Sequence, residues 1–107
     1  MKNSEYIIIS LGGAIIVPDQ VDVSFLKIFT NTIKGYVDKG YKFVIITGGG
    51  KLCRTYNEIA STIDNPSKED LDWLGIATTR LNAELVRIAF GNYAHNIIII
   101  YSLFFIY

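Results

Sequence analysis

The chain has 107 residues, of which 50% are hydrophobic and 19% charged, with ten Lys and Arg against ten Asp and Glu. This is a globular composition, enough for one small domain or part of a larger one, and zero net charge gives no electrostatic reason to expect nucleic acid or an anionic membrane surface as partner. A single cysteine, Cys53, excludes an internal disulfide and suits a reducing compartment.

The first element follows at once from Met1. Tyr6–Leu11 ("YIIISL") is short, apolar and β-branched, and it is too brief for the apolar segment of an export signal. Tyr41–Thr47 ("YKFVIIT") has the same character. Both runs are nearly continuous rather than alternating, which is the pattern of parallel strands buried on both faces. Between them Leu26, Phe29, Ile33 and Val37 recur at spacings of three and four. Asp22 or Ser24 can cap this amphipathic helix, and Gly40 ends it just after Lys39. The strand–helix–strand order is a βαβ unit.

After Gly48–Gly50 a second helix begins at Lys51, with Leu52, Ile59 and Ile63 on one side. "DNPSK" (64–68) breaks it, and Ser67 with Asp70 forms a capping-box pattern. A third helix, Leu71–Ala89, carries Leu71, Leu74, Thr78, Leu81, Leu85 and Ile88 on one stripe and stops at Gly91. The uncharged tail of residues 97–107 ("IIIIYSLFFIY") is far short of the roughly 20 residues that span a bilayer. It is expected to be one or two buried strands or a truncated end. The whole reads as an α/β sandwich with a parallel-centred sheet between helices.

Two glycine corners carry the chemistry. Gly12–Gly13 and Gly48–Gly50 each follow the carboxyl end of a strand, the edge at which open α/β sheets bind ligands. Glycine permits a sharp turn and lets successive amides converge on an anion. Lys51 and Arg54 add positive charge in a first helical turn, where it opposes the helix dipole and needs another reason. A phosphate is one; a plain tight turn is the alternative for each corner taken singly. Neither corner has the spacing of a P-loop or of G-x-G-x-x-G. Two anion nests at one crevice would hold two phosphates close together, as phosphoryl transfer requires.

A second stripe on the third helix, Asp72, Gly75, Thr79 and Asn82, offers small and polar groups. Asp72 would suit sugar hydroxyls and Asn82 an amide or phosphate; a solvated face is the alternative. Arg80, Glu84 and Arg87 are expected to be surface charges. Cys53 has no neighbouring base and reads as a small packing residue. His95 lacks further ligands at metal spacing, so no metal site is expected. Trp73 reads as a packing or interface residue.

Three segments, "ISLGGAIIVP", "VIITGGGKLCRTY" and "LDWLGIATTRLNAELVRIAFG", together resemble the N-terminal portion of archaeal-type uridylate kinases, within the amino acid kinase superfamily. The resemblance runs from about Tyr6 to about His95. It implies a helix-sandwiched, parallel-centred sheet, transfer of the ATP γ-phosphate to UMP with Mg²⁺, a place in pyrimidine nucleotide synthesis, a cytoplasmic setting and a homo-oligomer, commonly a hexamer. By matching position, Gly12 and Gly13 would lie against the transferring phosphates of ATP, with Gly50 also at ATP phosphates and Arg54 clamping a phosphate. Gly49 and Asp72 would meet UMP, and Asn82 falls in the acceptor helix.

Ala14 stands where the family usually has Ser. Ser10 stands where many superfamily members carry Lys, a residue that archaeal uridylate kinases also lack. Family chains are longer, so the resemblance places residues 1–107 on the acceptor side of the domain, and no catalytic acid is assigned. Another small-molecule kinase of the superfamily, or a non-catalytic nucleotide- or phosphate-binding module, are the alternative functions.

Overall fold

The computed structural model describes residues 5–94 and the strand Leu103–Ile106. The elements are β1 (Ile7–Leu11), α1 (Gly13–Ile16), α2 (Val23–Asp38), β2 (Phe43–Thr47), α3 (Gly50–Ile63), α4 (Lys68–Phe90), a 3₁₀ turn at Gly91–Tyr93, and β3 (Leu103–Ile106). The sheet order is β1-β2-β3. β1 and β2 are parallel, with Ile7 opposite Phe43 and Leu11 opposite Thr47. β3, part of the apolar tail, pairs antiparallel on the other side of β2. The rest of that tail and His95 lie outside the described residues.

β2 is the centre of the sheet, and its sequence shows it: Phe43, Val44, Ile45 and Thr47 are all buried. β1 differs from the expectation of a strand covered on both faces. Ile7 and Ile8 are 40% and 67% exposed, and burial begins only near Leu11. Among the described residues β1 pairs with β2 alone, so it is an edge strand.

α2 forms as its pattern requires. The Asp22 carboxylate accepts the Phe25 amide at 3.0 Å, satisfying one of the donors that every helix start leaves open. Leu26 and Ile33 enter the core, with Phe29 and Val37 packed beside it. Gly40, at φ 99°, turns the chain back into β2. α4 starts with the full reciprocal capping box, Asp70 N–H to Ser67 and Ser67 N–H to Asp70. The box sits before Lys68, so the helix is one turn longer than the apolar stripe alone suggested.

The inward face of α4 takes only part of the leucine stripe, Thr78 and the partly buried Leu85. Thr78, Asn82, Ala83, Val86 and Phe90 are buried, while Leu81 and Ile88 are 59% and 64% exposed. Likewise α3 buries no residue fully, and its expected apolar side points outward, with Ile63 79% exposed. The core gathers Leu11, Ile16, Ile45, Val86 and Phe90 between sheet, α2 and α4, and Phe90 meets Phe29 edge-on at 6.0 Å. At the far end Tyr93 donates its hydroxyl to Asp38 at 2.9 Å, a hydrogen bond that holds the phenol above its ordinary value of 10.0. Among the described residues no helix is long and apolar enough to cross a membrane.

Candidate functional site

The parallel register decides where the glycines go. With Leu11 opposite Thr47, the next residues, Gly12 and Gly48, leave the sheet side by side at the same carboxyl-end rim. The two corners then pack backbone against backbone. A Cβ added to Gly13 would collide with the Gly50 amide nitrogen and come within 2.7 Å of the Gly49 nitrogen. One added to Gly48 would stand 2.8 Å from the Gly13 nitrogen. Only Gly50, at φ 62°, also needs the left-handed region. Glycine is therefore required at this rim mainly for proximity, and in one place for backbone conformation.

Among the described residues Gly12 and Gly49 donate no backbone hydrogen bond outside the helices and strands, whereas the ladder phase turns Gly48 N–H toward the Leu11 carbonyl. Gly13 and Gly50 open helices, where an amide has no acceptor within its own helix. Carbonyl groups at the same corner are engaged instead: Ile15 and Val17 donate to the carbonyls of Gly12 and Gly13, at 3.0 and 2.8 Å, and Lys51 donates to the Val17 carbonyl at 3.1 Å. The N–H groups of Gly12, Gly13, Gly49 and Gly50 at one rim make a surface suited to anionic oxygens.

α4 holds the corner from below. The buried Asn82 donates its side-chain Nδ2 to the carbonyls of Gly48, at 2.8 Å, and Gly49, at 3.1 Å. Thr47 Oγ1 donates to the Thr79 carbonyl at 3.2 Å. Asn82 therefore fixes the glycine loop through its amide nitrogen. Thr78 stands under Gly49, where an added Cβ would come 2.9 Å from its Oγ1 and 2.7 Å from Cys53 Cβ.

Arg54 lies in the second turn of α3, exposed, with no ion pair among the described residues. Arg87 and Glu84, expected to be surface charges, pair at 3.1 Å one turn apart on α4.

Beside the corner, between α3 and α4, is a cleft of about 480 Å³ lined by Cys53, Asn57, Leu71, Asp72, Gly75, Ile76 and Thr79. Cys53 joins the two regions, packing beneath Gly49 and forming one wall of the cleft. Asp72 is exposed at this cleft, one helical turn before Gly75. The structure thus brings Gly12, Gly13, Gly49 and Gly50 to one corner, puts Asn82 beneath it and Asp72 in the adjoining cleft. Asn57 was not singled out from the sequence, and Thr78 was placed there only on the packing stripe of the third helix. Asn57 could have been found from its place one turn beyond Cys53, facing α4. Among the described residues no group of three metal-ligating side chains exists.

Comparison with known proteins agrees with this architecture. Residues 5–105 match the Amino acid kinase family. The chain belongs to that family. It is also similar to three archaeal uridylate kinases. That of Thermococcus onnurineus is 31% identical over 93 residues, 87% of this chain and 40% of the relative. That of Thermococcus gammatolerans is 35% identical over 94 residues, again 87% and 40%. That of Methanocaldococcus jannaschii is 34% identical over 89 residues, 82% of this chain and 39% of the relative. This amino acid kinase chain therefore spans about 40% of the length of the curated relatives it matches.

Proposed function

We propose that this chain is the acceptor-side part of a uridylate kinase, gripping nucleotide phosphates at the double glycine corner and the nucleoside of UMP in the cleft beside it. One observation carries the reading: two glycine corners packed backbone against backbone on one rim. In this reading Gly12, Gly13 and Gly50 face the phosphates of ATP, Gly49 faces UMP, Arg54 neutralises phosphate charge, and Asp72 binds sugar hydroxyls. Asn82 serves UMP by fixing the Gly48–Gly49 carbonyls, so that the amides keep their direction.

The reaction asks for little more from the protein. A phosphate oxygen of UMP bonds to the γ-phosphorus of ATP as the bond to the β–γ bridging oxygen breaks, giving UDP and ADP. The acceptor oxygens of UMP are already ionised, so no strong base is required. What the chain's own residues supply is alignment and fixed dipoles directed at developing charge. Mg²⁺, when bound, would neutralise phosphate charge beside these residues.

The share of the relatives covered supports a second reading for the isolated chain: a nucleotide-binding module that does not turn over. Calorimetry with UMP, CMP and inorganic pyrophosphate, beside a coupled assay for ADP release, separates the two. The expected outcome is UMP-dependent thermal stabilisation, absent in Arg54→Ala and Asp72→Ala, with no ADP formed by this chain alone. Both substituted side chains are exposed, so their melting temperatures should stay close to that of the unsubstituted chain. Absence of any shift with all three ligands would end the proposal.

A homo-oligomer and a cytoplasmic setting complete it. The first is supported by an apolar groove of about 430 Å³ bounded by Val17, Val21, Leu52, Leu81, Leu85 and Ile88.

A further inference from the structure

Asn57 stands out among the buried polar groups. Its Oδ1 is the one buried side-chain oxygen or nitrogen among the described residues that has no hydrogen-bond partner. Its Nδ2 has only a long contact to Cys53 Sγ, at 3.7 Å. Leaving such a group unsatisfied is destabilising, and a packing role would be served better by an apolar residue. Turning the amide over does not remedy this, because one end would still face sulfur and the other nothing. Asn57 also lines the cleft that holds Asp72.

Seven residues of α3 separate Asn57 from Gly50, a rise of about 10 Å along the helix. A ligand anchored by phosphate at the glycine corner would reach Asn57 with its far end. The terminal torsion of an asparagine is soft and roughly two-fold. A small rotation presents an adjacent acceptor and donor to the cleft. That pair complements an imide edge, in which an N–H stands next to a carbonyl.

We propose that Asn57 reads the base of the acceptor nucleotide, its side-chain amide pairing with the imide edge of uracil. This rests on the acceptor-site reading above and adds a specificity-determining residue to it. The free chain carries an unsatisfied amide, and bound base satisfies it.

The test is calorimetric titration of the 107-residue chain and its Asn57→Leu variant with UMP and with ribose 5-phosphate, which lacks the base. The unsubstituted chain should prefer UMP by tenfold or more. In Asn57→Leu that preference should fall to near unity while ribose 5-phosphate binding stays unchanged, which a general structural defect would not do. The ligand-free variant should melt at a higher temperature, since the unpaired group is gone. If leucine does not fit, Asn57→Ala must show the same loss of preference. A UMP preference that survives both substitutions overturns the role of Asn57 and leaves the acceptor site standing. A wild-type chain that binds neither ligand overturns the acceptor site and Asn57 with it.

Discussion

A methyl group added at Gly12 would meet nothing nearer than Ile15 Cδ1, at 3.9 Å. The backbone there, φ −56° and ψ 143°, is open to any residue. Its neighbour is the opposite case, because a Cβ on Gly13 would be driven into the backbone of Gly48–Gly50. Backbone cannot swing aside as a side chain can. Gly13→Ala should therefore lose roughly 3 kcal/mol or more in chemical denaturation, whereas Gly12→Ala should stay within about 1 kcal/mol of the parent. The two glycines then report different things. If Gly12 faces ATP phosphates, its alanine variant folds normally yet binds ATP at least tenfold more weakly by calorimetry. Unchanged ATP affinity in a folded Gly12→Ala would remove that residue from the phosphate site.

At the scale of elements, α4 is what keeps the corner in shape, through a single inward amide. Asn82→Leu should destabilise the chain by about 2–3 kcal/mol, because the part-buried Gly48 carbonyl loses its donor and that of Gly49 keeps only the Cys53 amide, and it should weaken phosphate binding as the loop relaxes. Ser67→Ala, which removes the α4 capping box, should cost about 1 kcal/mol and leave binding alone; equal losses of affinity in both would mean that the corner answers only to global stability. The same amide explains which parts of the sequence were legible. β2, α2 and the positions of both glycine corners follow from local pattern, since a run of β-branched residues, a capped 3–4 spacing and glycine after a strand each act locally. The register of α4 does not, because Asn82 must turn inward to reach Gly48 and Gly49, and this rotates Leu81 and Ile88 outward. α3 is misread for a related reason. Its close packing on α4 uses the small residues Cys53 and Gly75, 3.6 Å apart by Sγ and an added Cβ, so the bulky Tyr56, Ile59 and Ile63 are left outside. The cleft and the unsatisfied Asn57 exist only once those two helices meet.

Across the whole molecule the burial is incomplete in a directed way. The radius of gyration is 15.3 Å, against about 13 Å expected for a compact domain of this length. The outward residues are not scattered: Leu81 and Ile88 border the groove with Val17, Val21, Leu52 and Leu85, and a second groove continues past Val21 to Val23, Leu26 and Ala89. A contiguous apolar surface of this kind marks an interaction site more than an ordinary exterior. The homo-oligomer proposed above would use this face, with Leu81 and Ile88 at its border. Leu81→Glu combined with Ile88→Lys should therefore shift the chain from an associated species to a monomer in light scattering, with the helical circular dichroism signal retained and UMP binding unchanged, since neither residue touches the cleft. A wild-type chain that scatters as a monomer at all concentrations, or a double variant that associates as before, would show that this face is not where copies meet.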